Sequence, residues 1–141
     1  MIGLILCGHG NFATGLYSSL KLIAGEQENF GVIDFVEDMS SEELEAQLVK
    51  VLRDTDSSSG VVIFTDIPGG TPFRQSALIS SRNEKVKVVA GTNLPMILGS
   101  SFSRHLNLEE FTKKALKTAQ DGLLLYEQKT SSHIDNEMNG I

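Results

Sequence analysis

The chain has 141 residues, 40% hydrophobic and 21% charged, with a formal net charge of −6. At roughly 150 residues per domain this is one domain, long enough to bury a core without disulfides or metal, and a single cysteine, Cys7, excludes a disulfide framework and fits a reducing compartment. No apolar run approaches the ~20 residues that span a bilayer, no basic region precedes the apolar start as a signal peptide requires, and a pI near 5.0 argues against a nucleic-acid backbone as the main partner.

What remains is a small cytoplasmic α/β domain, and its elements can be read in order. Residues 2–6 form an apolar run that stops at Gly8-His9-Gly10, the pattern of a buried strand feeding a turn. Leu16, Leu20, Ile23 and Ala24 follow at helical spacing, with Gly25 placed as the C-terminal cap. Residues 30–35 read as a second strand. Ser40-Ser41-Glu42-Glu43 has the form of a capping box, and the helix it opens carries Leu44, Leu48 and Leu52 on one face. The polar stretch 54–60 is a loop and not a linker, because the pattern resumes at once.

Residues 61–65, Val-Val-Ile-Phe-Thr, lack polar alternation, which predicts a central strand covered on both faces. Asp66-Ile67-Pro68-Gly69-Gly70-Thr71-Pro72 follows, with Thr71 as candidate cap of the next helix and Pro72 suited to its first turn. Residues 86–90 predict a fourth strand closed by Gly91-Thr92-Asn93, and 94–103 a short helix with Pro95 near its start. Asn107-Leu108-Glu109-Glu110 opens a last helix that turns Phe111, Leu116 and Ala119 inward and ends at Gly122. Residues 123–126, Leu-Leu-Leu-Tyr, are expected to form a final edge strand, and the polar, aperiodic 129–141 a disordered tail, leaving 1–128 as the domain. Strand–helix alternation with short loops implies an open, mainly parallel sheet with helices on both faces.

In such a sheet ligands bind at the carboxyl ends of the strands, near the point where strand order reverses. If strands one and three are neighbours, His9 and Asp66 occupy equivalent strand ends and can meet. An imidazole between two glycines is uncrowded, nucleophilic and able to take and release a phosphoryl group without a cofactor. A carboxylate at Asp66 would fix its tautomer and stabilise the cation that phosphorylation creates. The alternative is a histidine that merely caps a helix or is solvated. Gly69, Gly70 and Thr71 offer amides and a hydroxyl at a helix N-terminus, an anion site by geometry and dipole, although the P-loop ending and spacing are missing. Taken alone, this stretch reads better as a tight turn with a cap, and the anion reading gains ground only beside a histidine at a neighbouring strand end.

Other groups carry less. His105 reads as structural at a helix end, His133 has no partner in view, and Cys7 reads as a small core residue. Three scattered histidines and one cysteine make no metal-ligand spacing. Asp34, Glu37 and Asp38 read as a solvated acidic edge by default, with part of a partner surface as the alternative.

The motifs Leu6-Cys7-Gly8-His9-Gly10, Gly25-Glu26-Gln27-Glu28-Asn29, Asp34-Phe35, Asp66-Ile67-Pro68-Gly69-Gly70-Thr71-Pro72-Phe73 and Ala90-Gly91-Thr92-Asn93-Leu94-Pro95-Met96, in this order, resemble the enzyme IIA domains of the mannose-type (mannose–fructose–sorbose) sugar phosphotransferase system. The resemblance extends to about Tyr126. It implies a phosphotransferase relay without cofactor or metal. His9 would take a phosphoryl group on a ring nitrogen, Nε2, from the histidine-containing phosphocarrier protein and pass it to an enzyme IIB on a separate polypeptide, serving a membrane sugar permease. Asp66 would be its carboxylate partner, with Gly69, Gly70 and Thr71 as phosphate-binding donors. It also implies a cytoplasmic homodimer whose sheet has four parallel strands and one antiparallel edge strand exchanged between subunits, a role suited to residues 123–126. Some relatives carry Ser where this chain has Thr71, which keeps the hydroxyl. Alternatives are the phosphocarrier subunit of a dihydroxyacetone kinase system, a non-catalytic anion- or nucleotide-binding module, and a receiver-like domain phosphorylated on Asp66.

Overall fold

A computed structural model describes residues 1–55 and 57–128. The elements are β1 (Gly3–His9), α1 (Phe12–Ala24), β2 (Phe30–Phe35), α2 (Ser41–Thr55), β3 (Val61–Thr65), α3 (Thr71–Ser81), β4 (Val86–Val89), α4 (Leu94–Ser101) and α5 (Leu108–Asp121). The expected tail at 129–141 lies outside the described residues.

All strand pairs are parallel, in the order β2-β1-β3-β4. β1 and β3 are the inner strands, and their apolar side chains are almost wholly buried on both faces, as their lack of alternation requires. Leu4, Leu6, Val62 and Phe64 face a layer with Leu20 of α1, Met96 and Ile97 of α4, and Phe111 of α5. Ile5, Cys7, Val61 and Ile63 face the opposite layer, with Leu44 and Leu48 of α2 and Ile79 of α3. Each fully buried Leu, Ile or Phe contributes about 1.5–3 kcal/mol. None of the described helices is long and apolar enough to cross a membrane.

The local signals act largely as read. Ser40 Oγ accepts the Glu43 amide at 3.1 Å, Asn107 Oδ1 accepts the Glu110 amide at 2.9 Å, and Gly25 caps α1. Four readings need correction. β1 runs past Leu6 to His9, because Gly8 is a packing position and not a turn: a Cβ there would strike the ring of Phe12. Thr71 is the first residue of α3 and Gly70 its cap position, with no side-chain cap bond. Ala115 faces the core in α5, leaving Leu116 48% exposed, because a 3.6-residue period from Phe111 reaches 115 and 119.

The fourth correction concerns the sheet's edge. The expected antiparallel edge strand is absent among the described residues: 123–126 follow Gly122 without strand pairing, and Leu123, Leu124 and Leu125 are about three-quarters exposed. A strand needs a backbone partner, and this segment pairs with neither open edge of its own sheet, β2 or β4.

Candidate functional site

Strand order reverses between β1 and β3: the chain steps from β1 out to β2, then returns to lay β3 and β4 on the other side. His9 ends β1, and Asp66 follows β3 directly, so both stand at the crevice where such sheets bind ligands. The pairing anticipated from topology is present.

Asp66 Oδ2 accepts two hydrogen bonds from His9, from the backbone amide at 2.8 Å and from ring Nδ1 at 2.7 Å. Its Oδ1 accepts the Ile67 amide at 2.8 Å. Burial by itself raises the Asp66 carboxyl, but the bonds from the His9 amide and ring and from the Ile67 amide together outweigh it and hold the group below its ordinary value. An ionised carboxylate can only accept, so the proton of this contact sits on Nδ1, and in the neutral imidazole Nε2 is then the nitrogen with the lone pair. The side chain of His9 is 43% exposed and that of Asp66 12%. The less accessible partner thus holds the ring while its far side meets solvent.

The ring is fixed from two further directions. Phe35, opposite His9 in the β1–β2 register, meets it edge-on with centroids 5.7 Å apart. A Cβ on Gly70 would lie 2.8 Å from Cε1 of His9, so glycine is what lets the loop after β3 close against the imidazole. Gly69, before it, has φ +79°, and Thr71, after it, lines a cleft with Ser41 and Arg74.

The loops are tied to the sheet beneath. The Gly10 amide donates to the Phe35 carbonyl at 2.8 Å, with Gly10 at φ +59°, where glycine is favoured. The Gly91 amide donates to the Asp66 carbonyl at 2.7 Å, joining the loops after β3 and β4. Asn93 Oδ1 accepts the Met96 amide while its Nδ2 donates to the Ala119 carbonyl, so this residue caps α4 and anchors α5.

Sequence reading missed two contributors. Asp34 is no solvated edge residue: it accepts the Thr14 amide at 3.1 Å and the Thr14 hydroxyl at 2.6 Å, capping the first turn of α1 from the end of β2. Phe35 was read as part of a strand and of a family motif, without a contact to His9. Both depend on contacts between distant parts of the chain, and in the structure Asn11, at the cap position of α1, makes no side-chain cap bond, so Asp34 does that work instead. Glu37 and Asp38 are exposed as expected.

The remaining candidates lie elsewhere. Cys7 is buried, and burial, then Asp66 and Asp34, push its thiol up to about 12, so it packs as a neutral residue. His105 is exposed in the loop after α4, not at the helix end, and borders a cleft with Phe102 and Arg104 at the amino end of the sheet. His133 lies outside the described residues. A cavity of about 490 Å³ beside β4 is lined by Phe73, Ala77, Val88, Ala90 and Leu116 among others, and neither His9 nor Asp66 borders it.

A family model described as "PTS system fructose IIA component" matches residues 3–116, most of the chain and all of the crevice. The chain is 29% identical over 136 residues to the fructose-specific EIIA component of the phosphotransferase system of Bacillus subtilis, covering 96% of this chain and 90% of that protein. It is 32% identical over 124 residues to the mannose-specific EIIAB component of Escherichia coli, covering 86% of this chain but spanning only 38% of that longer relative. A crystal structure of a phosphotransferase system component EIIA from Streptococcus agalactiae superposes with a TM-score of 0.81 at 33% identity, covering 89% of this chain and 97% of that one. With the family model matching across the sheet and its strand-end loops, the chain belongs to the mannose-, fructose- and sorbose-type IIA components of the sugar phosphotransferase system.

Proposed function

We propose that this chain is a phosphocarrier in which His9 accepts a phosphoryl group on Nε2 from the histidine-containing phosphocarrier protein and passes it to an enzyme IIB, in the uptake of a sugar of the mannose class. The observation that carries this reading is the polarity of the His9–Asp66 pair: Nδ1 is engaged by the carboxylate, and Nε2 has no hydrogen-bond partner among the described residues.

In the transfer, the Nε2 lone pair bonds to phosphorus while the donor's P–N bond breaks and its electron pair returns to the donor nitrogen. The His9 ring becomes a phosphoimidazolium whose Nδ1 keeps its proton, hydrogen-bonded to the Asp66 carboxylate, which offsets the charge. The same atoms run in reverse toward enzyme IIB. Loose phosphoryl transition states need positioning and charge stabilisation more than acid–base machinery. An exposed ring with one orienting carboxylate, and donors from Gly69, Gly70 and Thr71, meets that need.

The functional unit is residues 1–128, working in the cytoplasm as a homodimer and supplying the membrane permease through enzyme IIB. The exposed leucines at 123–125 and the unpaired edge of β4 support exchange of a fifth, antiparallel strand between two copies.

The test is the intact mass after mixing with phosphoenolpyruvate, enzyme I and the histidine phosphocarrier. One added phosphoryl group, labile in acid, stable in alkali and absent from His9→Ala, is the expected result. An unmodified protein alongside active upstream components would instead favour a module that binds anions reversibly. A modification that is labile in alkali and requires magnesium would point to Asp66 as acceptor.

A further inference from the structure

The carboxyl end of the sheet is acidic almost throughout. Asp34 stands near the end of β2, Glu37 and Asp38 follow it, Glu42 and Glu43 lie in the first turn of α2, and Asp66 follows β3. Arg74, in the first turn of α3, is the one lysine or arginine among the strand-end loops and the first turns of α1 to α4.

Its placement is unfavourable for the helix alone, since a cation in the first turn opposes the dipole by about 0.3–1 kcal/mol. No carboxylate compensates. The ion pairs of the described residues join His9 to Asp66, Lys21 to Glu26, Lys113 to Glu109 and Lys117 to Asp121, and the exposed Arg74 guanidinium makes neither ion pair nor hydrogen bond.

The backbone sets Arg74 one helical turn from the residue that packs against the histidine. The Arg74 amide donates to the Gly70 carbonyl at 2.9 Å, and Gly70 is the residue whose Cβ would lie 2.8 Å from the His9 ring. Arg74 is thus one helical turn, about 5.4 Å along the axis, from the residue against the imidazole. Helical side chains lean back over the preceding turn, which here is the turn toward His9. His9 also continues the row of Ile5 and Cys7, which face α2 and α3. Arg74 borders a cleft of about 310 Å³ with Ser41 of α2 and with Thr71, Gln75 and Leu78 of α3. Imidazole and guanidinium therefore share one face of the sheet.

We propose that Arg74 binds the oxygens of the phosphoryl group as it moves to and from His9. This rests on the reading of His9 as the acceptor. A phosphoryl group brings a charge of about −1.5 to −2 to an end face otherwise furnished with carboxylates, and Asp66 is bonded to the ring itself. Charge spread over the equatorial oxygens has to be met by donors aimed at them. Backbone amides supply dipoles, whereas the planar guanidinium supplies a full charge and a two-pronged match to phosphoryl oxygens. Arg74 forms and breaks no covalent bond in the step: Nε2 gains phosphorus, and the donor nitrogen keeps the electron pair of the broken P–N bond.

Phosphoramidate, a small P–N phosphoryl donor, separates contact with the group from contact with a partner protein. Labelling rates, read by intact mass and phosphorus NMR, would be compared for wild type, Arg74→Met, Arg74→Lys and His9→Ala. Each variant would be tested with phosphoramidate and with the phosphorylated histidine carrier, and thermal melts would verify folding. We expect Arg74→Met to be slowed about 10–100-fold with both donors, with partial recovery in Arg74→Lys, which keeps the charge without the fork. Equal rates for wild type and Arg74→Met with phosphoramidate overturn the proposal. A loss confined to the protein donor overturns it as well, making Arg74 a partner-docking residue. Wild type that takes label from neither donor ends the carrier reading and this proposal together, whereas the first two outcomes leave the carrier reading standing.

Discussion

Each end of the sheet locks one ionisable side chain onto the backbone, and the two do so to opposite effect. At the amino end Arg104, 6% exposed, donates from Nε to the Ile2 carbonyl at 2.8 Å, from Nη1 to the Glu28 carbonyl at 2.5 Å and from Nη2 to the Asn29 carbonyl at 2.8 Å. The Ile2 amide returns a bond to the Arg104 carbonyl at 3.0 Å. All three guanidinium nitrogens are engaged and little of the residue meets solvent. At the carboxyl end Asp66 is saturated just as fully, yet the residue it binds keeps one nitrogen free. A closed network holds chains together. A network with one spare lone pair at its rim can also react.

The largest effect separates the two ends outright. His9→Ala should abolish phosphoryl transfer while shifting stability by no more than about 1 kcal/mol, since the ring is half-exposed and its removal opens no cavity in the core. Arg104→Met should do the reverse. It strands the carbonyls of Ile2 and Glu28, leaves that of Asn29 with the Leu4 amide alone, and should cost about 3 kcal/mol, while the rate of His9 labelling well below the melting temperature stays at the wild-type value. Urea midpoints and labelling rates on both variants measure the contrast, and a slow Arg104→Met at full foldedness would show that the two ends are coupled.

Gly70→Ala sharpens the comparison by disturbing only the reactive end. The backbone at Gly70, φ −74° and ψ 170°, suits alanine, so the change carries no conformational strain. The new Cβ instead meets Cε1 of His9 at 2.8 Å. The ring must swing away from its bond to Asp66, and displacements of this size cost about 10–100-fold in rate. A melting point close to wild type together with slow labelling is expected; unchanged labelling would mean that the ring has room to yield.

Asp66→Asn weakens the same pair more gently, because an amide oxygen still accepts from the His9 backbone. Transfer should slow while folding persists. The native carboxyl sits below its ordinary value of 3.8, so its ionised form favours the folded state. That contribution is complete above the unfolded value and is lost as pH falls through the lower native one. The stability gap between wild type and Asp66→Asn should therefore be constant from neutrality down to about pH 4–5 and shrink below it. A gap that widened under acid would reverse the sign assigned to Asp66.

How much of this was legible beforehand follows from the range of the interactions. β2 and β3 are bounded as read, because an apolar run flanked by polar loops is a local signal. His9 and Asp66 could be paired in advance only on the condition that β1 and β3 are neighbours, as they are. Gly8 misled, since a glycine that admits Phe12 and a glycine that turns the chain look alike in one dimension. Asp34 was invisible because its partner, Thr14, lies twenty residues away on another element. Leu116 was misjudged by one position, at the cost of a face. Residues 123–126 have the composition of a strand, but composition names no partner, and the described residues provide none.

The smallest expected effect lies beside Asp66, where the reactive end carries a polar group with nothing to bind. Thr92 is 7% exposed and its Oγ1 has no hydrogen-bond partner among the described residues. Its amide, by contrast, donates to the Thr65 carbonyl at 3.2 Å, so the backbone of this loop does not depend on the hydroxyl. A buried, unbonded hydroxyl costs about 1–3 kcal/mol, and valine keeps the branched shape while removing it. Thr92→Val should accordingly raise stability by about 1 kcal/mol in urea unfolding and leave His9 labelling unchanged. A destabilised Thr92→Val would show that the hydroxyl has found a partner, and a slowed one that this partner belongs to the crevice; in either event the spare bonding capacity at the carboxyl end would extend beyond Nε2 of His9.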